Sequence, residues 1–358
     1  FNYPENTATD ARTMVELKYQ TALSATTQLT LRGLFNYSKY RSYDGTSDTS
    51  LLTVDYNHLE RYGSHGLGAE ARLAWQPSSK LKFNISGEAT TTLKQSMFGE
   101  DILASGERVT TLQVEAPWRL FAGSVLADWK PSAKVHLNGG VRFDYNQQQG
   151  NSESQRQDNG KATYSAYSPR LALIAKPRPT DIVKLIFGRA FRAPTTYEYF
   201  YNDGGLDEFA GEFDSIQPER VYAGELEYSH RFNRTWSLLV AAHTLYSQGA
   251  IEAAEIPDDP TTLYYRNSTV GKQTVGGDIE LRRELGAGVS ASAYYGYLHN
   301  RYRSNPDSEA TEDTEAAEPA VDLRLPNAPT HYAAAKVIFP ISAGVNGALR
   351  ATFEDQRR

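Results

Sequence analysis

The sequence contains no cysteine, only two methionines, and no apolar run of the roughly 18 residues that a membrane-crossing helix needs. The missing cysteines exclude a disulfide framework and a thiolate metal site. The missing apolar run excludes a transmembrane helix. The formal net charge is −6, so no basic excess indicates a nucleic-acid partner.

Catalytic motifs are also lacking. The seven histidines are scattered, and His58 and His65, which are seven residues apart, do not have metal-ligand spacing. No serine or acid stands in a nucleophile-elbow context. We therefore expect neither an enzyme nor a protein with a bound metal or cofactor.

The chain does contain segments in which apolar and polar residues alternate, most clearly Lys134 to Tyr145, KVHLNGGVRFDY. One set of alternate positions is apolar and the other carries charge, including Arg142 and Asp144. A β-strand sends successive side chains to opposite faces, so this segment predicts a strand with one apolar and one polar face. Trp129 before the strand and Tyr145 at its end place an aromatic residue at each edge of the apolar band, which is typical of a strand crossing a bilayer.

Short turn signals repeat along the chain about every 50 to 55 residues, which indicates a repeated structural unit. They lie at 24–27, 77–80, 130–133, 177–180, 232–235, 285–288 and 340–344. Between the hairpins lie long polar stretches, at 42–50, 97–117, 147–163, 194–217, 252–265 and 304–326. Short turns at one end and long loops at the other are typical of an outer-membrane barrel, and seven turns predict about fourteen strands.

Tryptophan placement supports a membrane barrel over a β-propeller, whose blades have a similar repeat length. Trp75, Trp129 and Trp236 all lie next to a tight turn, which is the arrangement of an interfacial aromatic girdle. The charged alternate positions, such as Glu70 and Lys82, would not suit a sheet face packed on a neighbouring blade.

Several motifs then occur in order. They are YSPRLAL at 167–173, FGRAFRAPT at 187–195, QPER at 217–220, YRN at 265–267 followed by GGDIE at 276–280, and LPNAPTH at 325–331. Together they resemble the barrel of TonB-dependent outer-membrane receptors, of the siderophore or cobalamin type. The first third of the chain resembles the family in architecture only.

The resemblance implies an all-β, transmembrane antiparallel barrel of 22 strands filled by an N-terminal plug. About fourteen strands are visible, so residues 1–358 are expected to form one β-barrel domain fragment that lacks the plug and some strands at each end. It further implies an outer-membrane location in a Gram-negative bacterium and active uptake of a ferric siderophore or similar small ligand. An energy-coupling protein of the TonB type would act through the missing plug, and membrane lipid would surround the barrel. A cobalamin receptor and a passive porin-type channel remain alternatives.

Two sets of residues are candidates for function. Charged residues on the polar strand faces are expected to face a wet lumen or the plug, since lipid would not accept them. The set comprises Arg72, Glu88, Arg142 and Asp144. They serve either as wall charges satisfied by plug groups and water or as a path for the solute. Arg189, Arg192 and Pro194 are expected to form strand-end architecture, because proline cannot donate to the ladder.

Aromatic residues cluster after Pro194, where the barrel mouth is expected: Tyr197, Tyr199, Phe200 and Tyr201. They form either loop packing or a stacking surface for an amphipathic ligand such as an iron chelate. The stretch 304–322 carries seven acids and neither lysine nor arginine. It is expected to be a solvated loop, with divalent-cation binding as the minority alternative.

Overall fold

The computed structural model describes residues 6–47, 55–103, 105–149, 161–200, 216–256, 259–304 and 329–356. Within these ranges the chain forms seventeen β-strands and one short helix. The strands up to the helix are β1 (Thr7–Ser24), β2 (Thr27–Ser47), β3 (Asp55–Ser78), β4 (Leu81–Leu103), β5 (Arg108–Glu115), β6 (Trp118–Ser132), β7 (Val135–Gln149), β8 (Lys161–Ala175) and β9 (Asp181–Arg192). After helix α1 (Thr196–Phe200) come β10 (Glu219–Arg231), β11 (Trp236–Gln248), β12 (Ile251–Ile256), β13 (Asp259–Asn267), β14 (Val270–Gly286), β15 (Val289–Ser304), β16 (His331–Ser342) and β17 (Val345–Glu354).

One antiparallel sheet contains fourteen of these strands in a single path, in the order β1-β2-β3-β4-β6-β7-β8-β9-β10-β11-β14-β15-β16-β17. All seven predicted tight turns connect neighbouring strands of this path. The predicted fold class and the estimate of about fourteen strands are therefore confirmed. No helix in the described ranges is long and apolar enough to cross a membrane.

The two faces of the sheet differ as the alternation predicts. In β7, Val141 and Phe143 are exposed, and Phe143 packs on Tyr167 of β8 with ring centroids 5.1 Å apart. Asp144, the next residue, is only 3 % exposed. Phe121 and Leu171, on the strands next to β7, also expose their side chains. The apolar face is thus turned outward along the whole path, and the charged face is turned inward.

Two predicted loops are strands instead. The polar stretch 97–117 is taken up by the far end of β4 and by β5, which pairs back on it from Ser96–Glu115 to Ile102–Arg108. The stretch 252–265 forms the separate hairpin of β12 and β13. Alternation in these stretches is masked by polar side chains, and the pairing depends on packing described below. The acidic stretch 304–322 lies almost wholly outside the described residues.

The close approach of β6 and β7 explains why residue 140 is a glycine. A Cβ on Gly140 of β7 would meet the carbonyl oxygen of Val125 and lie 2.8 Å from the Cα of Leu126. Glycine allows the β6 and β7 backbones to approach at this point without a clash.

Candidate functional site at the barrel mouth

The mouth end of the barrel is organised by the five-residue helix α1, which follows β9 after Pro194. Thr195 and Glu198 cap the helix reciprocally. The backbone N–H of Thr195 donates to Glu198 Oε2 at 2.8 Å, and the backbone N–H of Glu198 donates to Thr195 Oγ1 at 3.1 Å. This is a capping box, which satisfies N–H groups that the first helical turn leaves unpaired.

Tyr199 fixes α1 to the mouth. Its side chain is 1 % exposed and belongs to a small apolar core. Partners in this core come from distant parts of the chain: Met97, Val114, Ala116, Ala162 and Ile216. The same core explains why β5 folds back on β4, since Met97 and Val114 are directly paired in that hairpin. Apolar burial therefore holds the helix and the hairpin together.

Thr196 makes the polar counterpart of this anchor. Its hydroxyl accepts a hydrogen bond from Nε2 of Gln95 at 2.7 Å and another from Nε2 of Gln148. Gln95 lies on β4 and Gln148 at the end of β7. The side-chain oxygen of Gln95 is buried without a partner among the described residues. Two strands that are not neighbours are thus joined through one threonine.

Arg192, the last residue of β9, joins α1 to the strand that follows. It contacts Glu198 at 2.9 Å and Glu219, the first residue of β10, at 2.7 Å. Glu219 also accepts the backbone N–H of Ile251 at 2.7 Å, which positions the start of β12. These groups lie at the mouth, beyond the apolar band of the strands. Arg192, Glu198 and Glu219 are called the mouth ion network below.

Burial and hydrogen bonding act in opposite directions on the carboxyl groups of this network. For both Glu198 and Glu219, burial alone would raise the pKa, but the hydrogen bonds and positive charge of Arg192 outweigh it and lower the pKa below its usual value. The hydrogen bonds from both carboxylates in turn raise the pKa of Arg192, against the effect of burial. All three groups are therefore charged at neutral pH.

The hairpin β12–β13 is held by an asparagine. Asn267, at the end of β13, accepts the backbone N–H of Gln217 at 2.7 Å and donates to the carbonyl oxygens of Gln217 and Gly249, each at 2.8 Å. The side chain thereby connects the hairpin base to the segment that enters β10. A hydrogen-bonded set of this kind fixes loops relative to the barrel wall.

The four predicted ligand residues have different environments. Tyr197 is 36 % exposed, and its ring meets the ring of Tyr265 edge-on with centroids 6.1 Å apart. Tyr199 is the buried anchor of α1, so its ring is not presented to a ligand in this conformation. The backbone of Phe200 ends α1, but its side chain and all of Tyr201 lie outside the described residues. Ligand contact remains a prediction for the whole set.

The predicted lumen residues come together in two groups on the inward face. Arg142 contacts Glu88 at 3.0 Å and Asp144 at 2.7 Å, and it spans β4 and β7 across the intervening β6. Arg72 instead contacts Glu70 at 2.6 Å. Glu70 also accepts a bond of 2.8 Å from Arg32. The wall charges are therefore mutually neutralised.

Glu70 and Glu88 face each other directly in the register of β3 and β4. Like charges opposite one another destabilise a sheet unless cations are near. Here Arg32 and Arg72 bind Glu70, and Arg142 binds Glu88. These ion pairs offset the repulsion between the two carboxylates. In the described ranges, no three His, Asp or Glu side chains form a group that could hold a metal ion.

The sequence that forms this sheet matches a protein-family model. The model of the TonB dependent receptor-like β-barrel covers residues 1–355. The chain belongs to this family. No curated protein is significantly similar to it in sequence.

Solved structures of the family share the fold at low identity. The copper transporter OprC superposes with a TM-score of 0.72 at 13 % identity, covering 95 % of this chain and 52 % of that chain. The ferric citrate transporter FecA in its unliganded form gives 0.66 at 13 % identity, with 96 % and 49 % covered. The siderophore receptor PiuA from Acinetobacter baumannii gives 0.64 at 16 % identity, with 98 % and 55 % covered. This family barrel thus spans about half the length of the solved structures it matches.

Sequence reasoning missed the mouth ion network and the helix that it holds. The signal was present, because Thr195-Thr196-Tyr197-Glu198 has the spacing of a capping box. The sequence predicts strand-end architecture for Arg192, and the structure places this residue at the end of β9, where it also binds two carboxylates. The contacts of Gln95 and Gln148 with Thr196 have no local sequence signal.

Proposed function

We propose that the chain is the barrel of an outer-membrane receptor that takes up ferric siderophores actively in a Gram-negative bacterium. The observation that carries this is the mouth, where the partly exposed ring of Tyr197 on α1 meets the ring of Tyr265, which packs on the mouth core, and where the inward wall charges are paired. Flat aromatic surfaces suit the apolar and ring-bearing parts of a metal chelate. A ferric citrate transporter and a siderophore receptor share this fold.

In this proposal the ligand docks first on the mouth. Tyr197 contributes a partly exposed ring, and Arg192 holds α1 in place by binding Glu198 on the helix and Glu219 on β10. A rigid mouth lowers the entropic cost of ordering residues on binding. No bond is made or broken in the ligand, so the protein is a transporter and not an enzyme.

Transport itself requires a plug and an energy source. We propose that a plug domain fills the barrel and that its polar surface meets the inward charges of Arg72, Glu88, Arg142 and Asp144. An inner-membrane partner of the TonB type would pull on the plug and let the solute pass. Because the wall charges are already paired with one another, a plug can slide along them without leaving an unpaired charge behind.

A copper ligand is the second candidate, because the copper transporter OprC has the same fold with a TM-score of 0.72. Cobalamin is a third possibility from the resemblance. A passive porin-type channel differs from all of these in having no plug and no dependence on the inner-membrane energy source.

Uptake by intact cells tests the proposal. A strain whose only receptor is the full-length protein is supplied with iron-55 bound to a panel of siderophores, with copper, or with cobalamin. Energy-dependent uptake of one ferric siderophore is the expected result, and removal of the TonB-type protein should abolish it. Uptake of copper or cobalamin alone would replace the ligand assignment, and uptake that continues without the energy source would indicate a porin.

A further inference from the structure

An apolar trough runs across the outward face of β2, β3 and β4, between β1 and β6. Its floor follows one row of the register, in which Gly33, Ala69 and Ala89 lie side by side. Leu17 on β1 and Phe121 on β6 end this row. The small residues between large ones leave a depression of about 830 Å³, which is the size of a typical small-molecule site.

The trough lies in the apolar band and is open outward. A Cβ placed on Gly33 would meet nothing within 4 Å, and the same holds for Gly87 in the neighbouring row. Apolar side chains form most of the remaining outward lining: Val15, Phe35, Leu67 and Leu93. Its surface is therefore suited to hydrocarbon and not to water.

Cations collect at the mouth end of the trough. Arg119 lines the trough itself, in register with Thr91, about ten residues from the tight turn between β3 and β4. Ten strand residues tilted in a barrel span roughly the 25 Å height of an apolar band, so Arg119 marks its upper edge. The strands continue above it with further outward cations, and together they form what we call the basic rim: Lys39, Arg41, Arg61, Lys94 and Arg119.

The basic rim is not neutralised in the way that the inward face is. Arg41 and Arg61 are directly opposite each other in the register of β2 and β3, an arrangement that repulsion disfavours. Arg61 has Glu100 at 3.7 Å and the ring of Phe98 at 4.9 Å, and Lys94 has Glu115 at 3.9 Å. Among the described residues, no carboxylate lies within ion-pair distance of Lys39, Arg41 or Arg119.

A comparable inward pair shows the contrast. Lys18 and Arg32 are also opposite each other, in the register of β1 and β2. There the protein supplies two carboxylates, because Arg32 contacts Glu16 at 2.5 Å and Glu70 at 2.8 Å. The outward pair lacks an equivalent set, so an external anion would complete it.

We propose that the trough and basic rim bind a phosphorylated, acylated glycolipid of the outer leaflet. An acyl chain lies in the trough along Gly33 and Ala69, and the headgroup phosphates lie on the basic rim, one on Arg119 and another on Arg41 and Arg61, six residues higher along the strands. Arginine suits a phosphate because its guanidinium can donate two parallel hydrogen bonds. The inference rests on the outer-membrane location proposed above, but not on which solute is transported.

Charge decides between this occupant and a second copy of the chain. A twofold dimer through this surface would place one basic rim against or beside the other, which like charge opposes. A zwitterionic phospholipid would offer the same kind of chain but a headgroup with no net negative charge. Of these three, the phosphorylated glycolipid alone complements both the trough and the rim.

Lipid retention by the purified full-length receptor tests the proposal. The receptor in a neutral detergent is incubated with bisphosphorylated lipid A, and bound lipid is counted by native mass spectrometry. The variant Lys39→Ala/Arg41→Ala/Arg119→Ala should retain lipid A on the order of tenfold more weakly, since each basic residue near a charged lipid surface contributes measurably. Gly33→Leu should also weaken retention, because its side chain would fill the trough.

Matched controls address charge and fold. Lys80→Ala/Lys130→Ala/Lys134→Ala removes three cations from the turn end, and Gly224→Leu adds the same side chain to the outward face of β10. Both should retain lipid A as the wild type does, and all variants should show wild-type heat-modifiable gel migration and solute uptake. Dephosphorylated lipid A and phosphatidylethanolamine should bind weakly.

Either of two results would overturn the proposal. One is equal retention of lipid A by wild type and by the basic-rim or Gly33→Leu variant. The other is equal loss in the turn-end control, which would mean that only total charge matters. If the wild-type receptor retains lipid A but takes up no solute from the panel, that result contradicts the proposed transport function and leaves the lipid site standing.

Discussion

Thr195 and Glu198 exchange two hydrogen bonds across the first turn of α1, at 2.8 and 3.1 Å. This pair determines where the helix begins and therefore how Tyr197 is presented at the mouth. Replacing Thr195 with alanine should destabilise α1 by about 1 kcal/mol, the usual cost of losing an N-cap. Hydrogen exchange of the α1 amides should increase, whereas Thr163→Ala, an outward-facing change on β8, should leave it unaltered. Unchanged exchange in Thr195→Ala would contradict the capping role.

The mouth should loosen in acid. The folded-state pKa of Glu198 and of Glu219 is lowered below the ordinary value of a glutamate side chain. A lowered carboxyl pKa stabilises the fold fully above the unfolded value, and this contribution is lost as the pH falls through the folded-state pKa. Amide exchange of α1 and of the start of β12, corrected for intrinsic rates, should therefore rise below pH 4.5. In Glu198→Gln the dependence at α1 should flatten; a profile identical to that of the wild type would refute the assignment.

Arg142 should matter more for stability than Arg72. Removing Arg142 leaves the buried carboxylate of Asp144 without the bonds it accepts at 2.7 and 2.8 Å. The cost should be about 1–3 kcal/mol, the penalty for a buried polar group without its partner. Arg72 is 55 % exposed, and Glu70 keeps Arg32, so Arg72→Ala should cost less than about 1 kcal/mol. The unfolding temperature of each variant, read from the change in its gel migration on heating, measures both costs. An equal decrease in Arg142→Ala and Arg72→Ala would show that the burial of Asp144 does not matter.

Tyr197 and Tyr199 should respond differently to substitution. Tyr197→Ala should weaken binding of the ferric siderophore about tenfold while leaving barrel stability unchanged, since the loss of one aromatic contact is of that order. Tyr197→Phe should keep most of the affinity. Tyr199→Ala should instead open the mouth core and raise protease sensitivity near α1. Calorimetric titration and limited proteolysis separate the two effects, and normal binding by Tyr197→Ala would remove Tyr197 from the ligand surface.

Two glycines, one on β7 and one on β4, provide a matched test of strand approach. Gly140→Ala should destabilise the barrel by about 1–3 kcal/mol, because the new methyl group would overlap the β6 backbone at Val125 and Leu126. Gly87→Ala has open space and should be neutral or slightly stabilising. Urea unfolding followed by gel migration distinguishes them. Equal midpoints would show that the strands separate freely at Gly140.

The sheet could be predicted from the sequence because its signals are local. Trp129, the turn that follows it and the alternation through Tyr145 lie within one hairpin, and the structure places β6 and β7 there. The inward position of Asp144 follows from the same alternation. Strand number followed from the repeat of the turns, since each turn joins two strands of the path.

The mouth could not be predicted because its contacts join residues far apart in the chain. Thr196 meets Gln95 and Gln148, which lie 101 and 48 residues away. The β5 hairpin has few apolar residues of its own, and Val114 is buried in a core that it shares with Tyr199 and Ile216, which are distant in the chain. Composition therefore suggested a polar loop where long-range packing produces a strand.

The order of the main sheet has a further consequence for how such receptors diverge. Each strand of the path pairs with the preceding strand along the chain, apart from the two places where β5 and the β12–β13 hairpin project from the wall. These projections can be lengthened, shortened or exchanged without shifting the register of any wall strand. If the mouth binds the ligand as proposed, recombination confined to these projections transfers ligand preference between receptors as a module while the scaffold continues to assemble unchanged.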